Sequence, residues 1–249
     1  MHQHEITVYS IYDQRAQQEA KKYKHTSFKY IRIASLWDKL DRAVRHLINR
    51  LPGIYIGNAY IAKLLRQEKD LESYDAIILE NAPDFGLCFP KAVRKKLILH
   101  LHNDYLNIRT KLCKRVFDSF SRIFTISDTL GDIVRQIQYS DKVKTLHNGI
   151  NLTRFTPDDG LRCAARAKYG IDDEDIVFMY CGRVVPDKGA LELVRAFSRI
   201  TDRHCKLLIV GSSGYSRNDE TSYMREVRGA ADSRVIFTGF IPYDDILSL

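Results

Sequence analysis

Short apolar runs bounded by turn residues alternate with amphipathic helical patterns along this whole chain. That alternation restricts it to parallel sheets with helices on both faces. The runs are ITVYSIY, KYIRIA, YDAIILEN, KKLILHLH, RIFTIS and KVKTLHN, then IVFMYCG, KLLIVG and RVIFTGF. Helical spacing lies between most of them, in DQRAQQEAKKY, LWDKLDRAVRHLINRL, RTKLCKRVFDSF, TLGDIVRQI, KGALELVRAFSRI and ETSYMREVRGAA. One joint interrupts the pattern at HNGINLTRFTPDDG, residues 147–160. There Asn148-Gly149 asks for positive φ, Pro157 breaks regular structure and Asp158-Asp159-Gly160 turns the chain. The expected organisation is two doubly wound α/β domains, one over residues 1–152 and one over 153–249. In 249 residues that are 45% hydrophobic there is apolar material for both cores.

Charge narrows the partners. Residues 1–150 hold 25 Lys and Arg against 16 Asp and Glu, a balance of +9, whereas 151–249 hold 14 against 15, a balance of −1. A basic first half calls for an acidic partner, nucleic acid or an anionic membrane surface. No zinc-finger spacing, RNP-like aromatic signature or basic region joined to heptads supports nucleic acid. Five scattered cysteines without a C-x-x-C pair indicate neither a disulfide framework nor a zinc site, and fit a reducing cytoplasm. No run reaches the roughly 18 apolar residues of a membrane span.

Two segments carry chemistry. In VFMYCGRVVPDKGALELVRAF, residues 177–197, the apolar run reads as a buried strand ending near Cys181. Gly182 and Arg183 then stand at its carboxyl end, Asp187 is the expected N-cap, and Lys188 falls in the first helical turn. Free backbone N–H groups at such a helix start attract anions. The arginine fork and lysine charge suit phosphate oxygens, so the stretch predicts a diphosphate clamp. Surface pairing of Arg183 and Lys188 with Asp187 or Glu192 is the alternative. In KKLILHLHND, His100 and His102 share one strand face, with His102 nearest the carboxyl end. Strand ends of two doubly wound domains would face a common cleft. His102 there would orient or polarise a substrate hydroxyl. Metal ligation through H-x-H lacks an evident third ligand in the sequence, and a structural role for both histidines stays open.

The segments HLHND, FTISDTLGDIV, HNGINLTRFTP, YCGRVVPDKGALELVRAF, KLLIVGSS and VIFTGFIPYDDI together resemble the nucleotide-sugar glycosyltransferases of family four. The resemblance implies the GT-B fold of two Rossmann-like domains, the second of them incomplete in this chain. It also implies a donor diphosphate bound by Gly182, Arg183, Lys188 and Gly189, with His102 near the transferred sugar. The backbone of Gly239–Pro242, around Ile241, would meet the nucleotide base. The expected reaction moves a sugar from a nucleotide-diphosphate donor to a glycan or lipid-linked acceptor in envelope polysaccharide synthesis. It retains configuration and needs no metal or cofactor. Two departures from the family pattern predict a chain truncated at both ends: it starts almost directly at the family's second strand, and it stops before the paired glutamates that hold donor sugar and ribose. A non-catalytic nucleotide-sugar-binding partner, or an inactive fragment, is therefore the competing expectation. An epimerase on the same fold is a third.

The acceptor side rests on residues 35–51, where Leu36, Trp37, Leu40, Val44, Leu47, Ile48 and Leu51 form one stripe beside Arg42, Arg45 and Arg50. Such a helix could lie on an anionic membrane, with Lys91, Arg94, Lys95, Lys96, Lys111, Lys114 and Arg115 adding to the attraction if they share its face. The default expectation is a helix packed on its own sheet.

Overall fold

A computed structural model describes residues 4–214 and 220–248. It divides into two compact units, Met1–Gly149 and Ile150–Leu249. All nine expected strands form, and every strand pairing is parallel.

The first unit starts with β1 (Ile6–Ile11), α1 (Gln14–Ala20), β2 (Thr26–Ile31) and α2 (Leu36–Asn49). It continues through α3 (Ala59–Gln67), β3 (Ile77–Glu80), β4 (Leu97–Leu101), α4 (Cys113–Asp118), β5 (Arg122–Thr125), α5 (Asp128–Arg135) and β6 (Val143–Thr145). Its strands make two sheets: β1 pairs with β2 alone, and the order β3-β4-β5-β6 forms the other. The core lies on the four-stranded sheet. Along β4, Leu97, Leu99 and Leu101 are fully buried while Ile98 and His100 alternate to the opposite face. Phe117, Phe120, Ile123, Leu130 and Val134 pack against that leucine row. Only Ile31 of the β1–β2 pair is buried apolar surface. That pair is tied down by polar contacts instead: Tyr9 donates to Glu68 at the end of α3, and Lys29 lies 2.9 Å from the same carboxylate. These two donors hold the Glu68 carboxyl down to about 2.

The second unit holds α6 (Asp159–Tyr169), β7 (Ile176–Cys181), α7 (Ala190–Phe197), β8 (Cys205–Val210), α8 (Ser222–Gly229) and β9 (Val235–Gly239). Its sheet runs β7-β8-β9, with central β8 buried almost throughout. Ala190, Leu191, Val194 and Phe197 of α7 and Met224 and Val227 of α8 close the core over it.

Three expectations need correction. The apolar run of β7 is an edge strand, not a buried one: Ile176, Phe178 and Met179 are exposed, because β7 has a single strand neighbour, β8. Two helices go beyond the expected set, α3 and α6. Asp158, read as part of a turn, is the N-cap of α6 and accepts from Leu161 N at 2.9 Å. The third correction concerns α2. Ser35 and Asp38 close a capping box at its start, and Lys63 of α3 pairs with Asp38 at 3.1 Å. This fixes the helix by its polar groups, while Leu36, Trp37, Leu40, Val44, Leu47 and Leu51 stay between 48% and 80% exposed. The apolar stripe is therefore not spent on its own sheet.

Candidate functional site

In the second unit the backbone brings the three strand ends together. Past β7, Gly182 N donates to Val210 O at 2.9 Å and Val184 N to Ser212 O at 2.9 Å. Past β8, Gly211 N donates to Gly239 O at 2.9 Å, which ties in the loop leading to Ile241. The loop of Gly182 and Arg183 is thus laced to the loop of KLLIVGSS, and that loop to the start of Gly239–Pro242. Arg183 is held from its own carbonyl as well: Tyr180 Oη donates to it at 2.7 Å. Burial pushes the Tyr180 phenol up, with Tyr223 and Asp187 adding to the shift, so the hydroxyl keeps the proton it donates.

The turn that follows differs from expectation. Residues Pro186–Lys188 form one 3-10 turn, and Gly189, left-handed at φ 70, is the N-cap of α7 in place of Asp187. Lys188 therefore precedes the helix instead of occupying its first turn. Any Cβ at position 189 would be strained at that φ, which is why glycine stands where the chain reverses from turn to helix. Lys188 is exposed, Arg183 and Ile241 half-buried. Among the described residues the Lys188 ammonium has no ion pair within 4.0 Å, so the surface pairing of Lys188 with Asp187 or Glu192 does not form.

In the first unit His102 stands one residue beyond β4, beside His100, with ring centroids 4.4 Å apart. Sequence reasoning assigned no role to Glu80 and Asn81, at the end of β3. Register sets Glu80 opposite His100. The Glu80 Oε2 lies 3.1 Å from His100 Nδ1 and 3.1 Å from His102 Nε2. Asn81, left-handed at φ 55, accepts on its Oδ1 from the backbone N–H of His102 at 3.1 Å and of Asn103 at 3.2 Å. These two residues hold the HLHN segment by side chain and by backbone. No local signal betrays them, since their partners lie some twenty residues away and meet them only through strand register. Glu80 also supplies the third ligand that a metal reading of H-x-H lacked, the three donor atoms lying within 4.8 Å of one another.

Two surface hollows lie elsewhere. One of 520 Å³ is lined by Asp128, Arg135 and Thr145, another of 270 Å³ by Arg162, Ile171 and Met179. Neither contains an expected site residue. The candidate groups sit instead at strand carboxyl ends, where open parallel sheets place their ligands.

Two parallel-sheet units in one chain, each carrying polar groups at those ends, are the architecture of the GT-B fold. Residues 2–154 match the model of Glycosyltransferase Family 4, and residues 162–249 match that of Glycosyl transferases group 1. The chain belongs to glycosyltransferase family four. Among curated relatives it is similar to YtcC of Bacillus subtilis, with 29% identity over 212 residues, 79% of this chain and 52% of that protein. It is also similar to the lipopolysaccharide 1,2-N-acetylglucosaminetransferase of Salmonella typhimurium, with 28% identity over 141 residues, 55% of this chain and 34% of that one. The chain therefore spans about half the length of YtcC. Anabaena HepE, solved in complex with UDP-glucose, has the same fold: TM-score 0.68 at 17% identity, covering 97% of this chain and 62% of HepE. Among the described residues no helix is long and apolar enough to cross a membrane.

Proposed function

We propose that the protein transfers a glycosyl group from a nucleotide-diphosphate sugar to a glycan or lipid-linked acceptor of envelope polysaccharide, with retention and without a metal. The second unit takes the donor and the first unit the acceptor. One observation carries this reading: the laced loops after β7, β8 and β9 present Arg183 on a fixed backbone, with Lys188 five residues on. Departure of a nucleoside diphosphate builds negative charge on its phosphates. Cations fixed beforehand stabilise that charge without reorganising. In this reading Gly182 and Gly189 let the backbone approach the diphosphate, and the backbone about Ile241 meets the base. His102 binds a hydroxyl of the transferred sugar. The UDP-glucose held by HepE supports a sugar nucleotide as donor. The full-length enzyme, offered a panel of UDP-, GDP- and TDP-sugars, is expected to release nucleoside diphosphate with at least one. Neither hydrolysis nor transfer with any of them would defeat the proposal.

The exposed stripe of α2 supports a peripheral site on the anionic inner face of the membrane. Lys39, Arg42 and Arg50 are exposed beside Trp37, Leu40 and Leu47. Lys111 donates to the carbonyl of Leu51 at 2.7 Å and Arg115 to that of Gly53 at 3.0 Å, which brings further cations to the end of the helix. Insertion of the apolar side chains and attraction of the cations to lipid phosphates then act together, each cation contributing about 1 kcal/mol near the surface. Vesicles rich in phosphatidylglycerol are expected to sediment the protein at low salt and to release it at high salt. Trp37→Glu with Leu40→Glu is expected to abolish sedimentation, and an equal bound fraction for that variant would reject the surface.

A further inference from the structure

We propose that Glu80 is a positioning residue that fixes the tautomer of His102, accepting N–H from both neighbouring imidazoles on a single carboxylate oxygen. The inference rests on the hydroxyl-binding role given to His102 above. His100 is the key to the proton arrangement. Its side chain is largely buried, and its Nε2 has no hydrogen-bond partner among the described residues. A proton on that atom would be a buried donor without an acceptor, which is costly. The proton therefore belongs on Nδ1, 3.1 Å from Glu80 Oε2, where it is donated. His102 meets the same oxygen through Nε2 at 3.1 Å, and a carboxylate oxygen only accepts, so Nε2 of His102 carries its proton too. What remains on His102 is a bare Nδ1, which accepts from a sugar hydroxyl. Asn81 sets the height of the ring by binding the backbone N–H of His102.

The same three groups could be read as metal ligands. Ligation through the two nitrogens that face Glu80 would force the His100 proton onto its buried, unpartnered Nε2. Metal-bound histidines almost always donate their second N–H to a partner. The absence of an acceptor there favours the hydrogen-bonded arrangement.

Histidine-selective ¹⁵N NMR of the full-length enzyme reads the tautomer directly, and kinetics read its consequence. Wild type is expected to show His102 as the Nε2–H form and Glu80→Ala a mixture of both forms, at unchanged melting temperature. Loss of the fixed ring lowers kcat by about a hundredfold in Glu80→Ala, with donor KM altered less than about threefold. Glu80→Gln keeps an acceptor oxygen and is expected to restore most of the rate. An Nδ1–H form in wild type, or a tautomer unmoved by Glu80→Ala, overturns the proposal. So does tight one-to-one binding of Zn²⁺ that Glu80→Ala removes. An inactive His102→Ala beside a fully active Glu80→Ala refutes the positioning role alone. A fully active His102→Ala refutes the role of His102, and the inference falls with it.

Discussion

Alanine at Arg183 in the full-length enzyme is expected to lower kcat/KM for its nucleotide-diphosphate sugar about a hundredfold, a loss of about 3 kcal/mol of transition-state stabilisation. The guanidinium leaves from a backbone that three hydrogen bonds hold: Tyr180 Oη to Arg183 O, Gly182 N to Val210 O and Val184 N to Ser212 O. None of these uses the Arg183 side chain, so the variant keeps these three ties of the loop backbone. Lysine at 183 is expected to recover little, because a single ammonium cannot reproduce two parallel N–H contacts to a phosphate. Lys188→Ala is expected to act in the same direction. The double variant would lose less than the product of the two if both cations address one leaving group, as proposed. Steady-state kinetics with circular dichroism as a check of fold decides the matter. An Arg183→Ala enzyme within about threefold of wild type, correctly folded, would dismiss the diphosphate clamp.

The fold class was legible because alternation of strand and helix patterns is a property of local sequence, and all nine strands form where the apolar runs lie. What local sequence does not hold is the neighbour of each strand. The run IVFMYC has the composition of a central strand, and only the sheet order β7-β8-β9 makes it an edge. Asp158 and Asp187 illustrate a second limit. Aspartate serves both turns and N-caps by the same side-chain acceptance, so chemistry alone does not choose between them. At 158 the helix follows at once, whereas at 187 a left-handed Gly189 intervenes and takes the cap. Arg183 and Lys188 were legible as a pair of cations after a strand. Glu80 was not, because its meeting with His100 and His102 is made by the register of β3 against β4. The stripe of α2 was visible in sequence, but its exposure follows from anchoring through Asp38, which no periodicity displays.

The lacing of the proposed donor loops depends on Gly211 more than on any cation. Its φ of 133 lies where side chains are rarely tolerated, and a Cβ built on it would stand 1.9 Å from the carbonyl oxygen of Gly182. That oxygen belongs to backbone fixed by the bond from Gly182 N to Val210 O, so it cannot withdraw as the tip of a flexible side chain would. Gly211→Ala must therefore push the loop after β7 away from β8 and strain the bond from Gly211 N to Gly239 O, opening both seams of the site. The expected cost is about 3 kcal/mol, from unfavourable backbone conformation and overpacking together. Over a chain of this size it lowers the melting temperature by about 6–12 °C. Affinity for the nucleoside diphosphate should fall with it, because the same displacement carries Arg183 away from its place. Gly214→Ala is the matched control: a Cβ there meets nothing within 4 Å, and stability should move by no more than about 0.5 kcal/mol. Scanning calorimetry with and without UDP separates the two. If Gly211→Ala melts with wild type and gains the same stabilisation from the nucleotide, the close approach of these strand ends does not hold the donor site together.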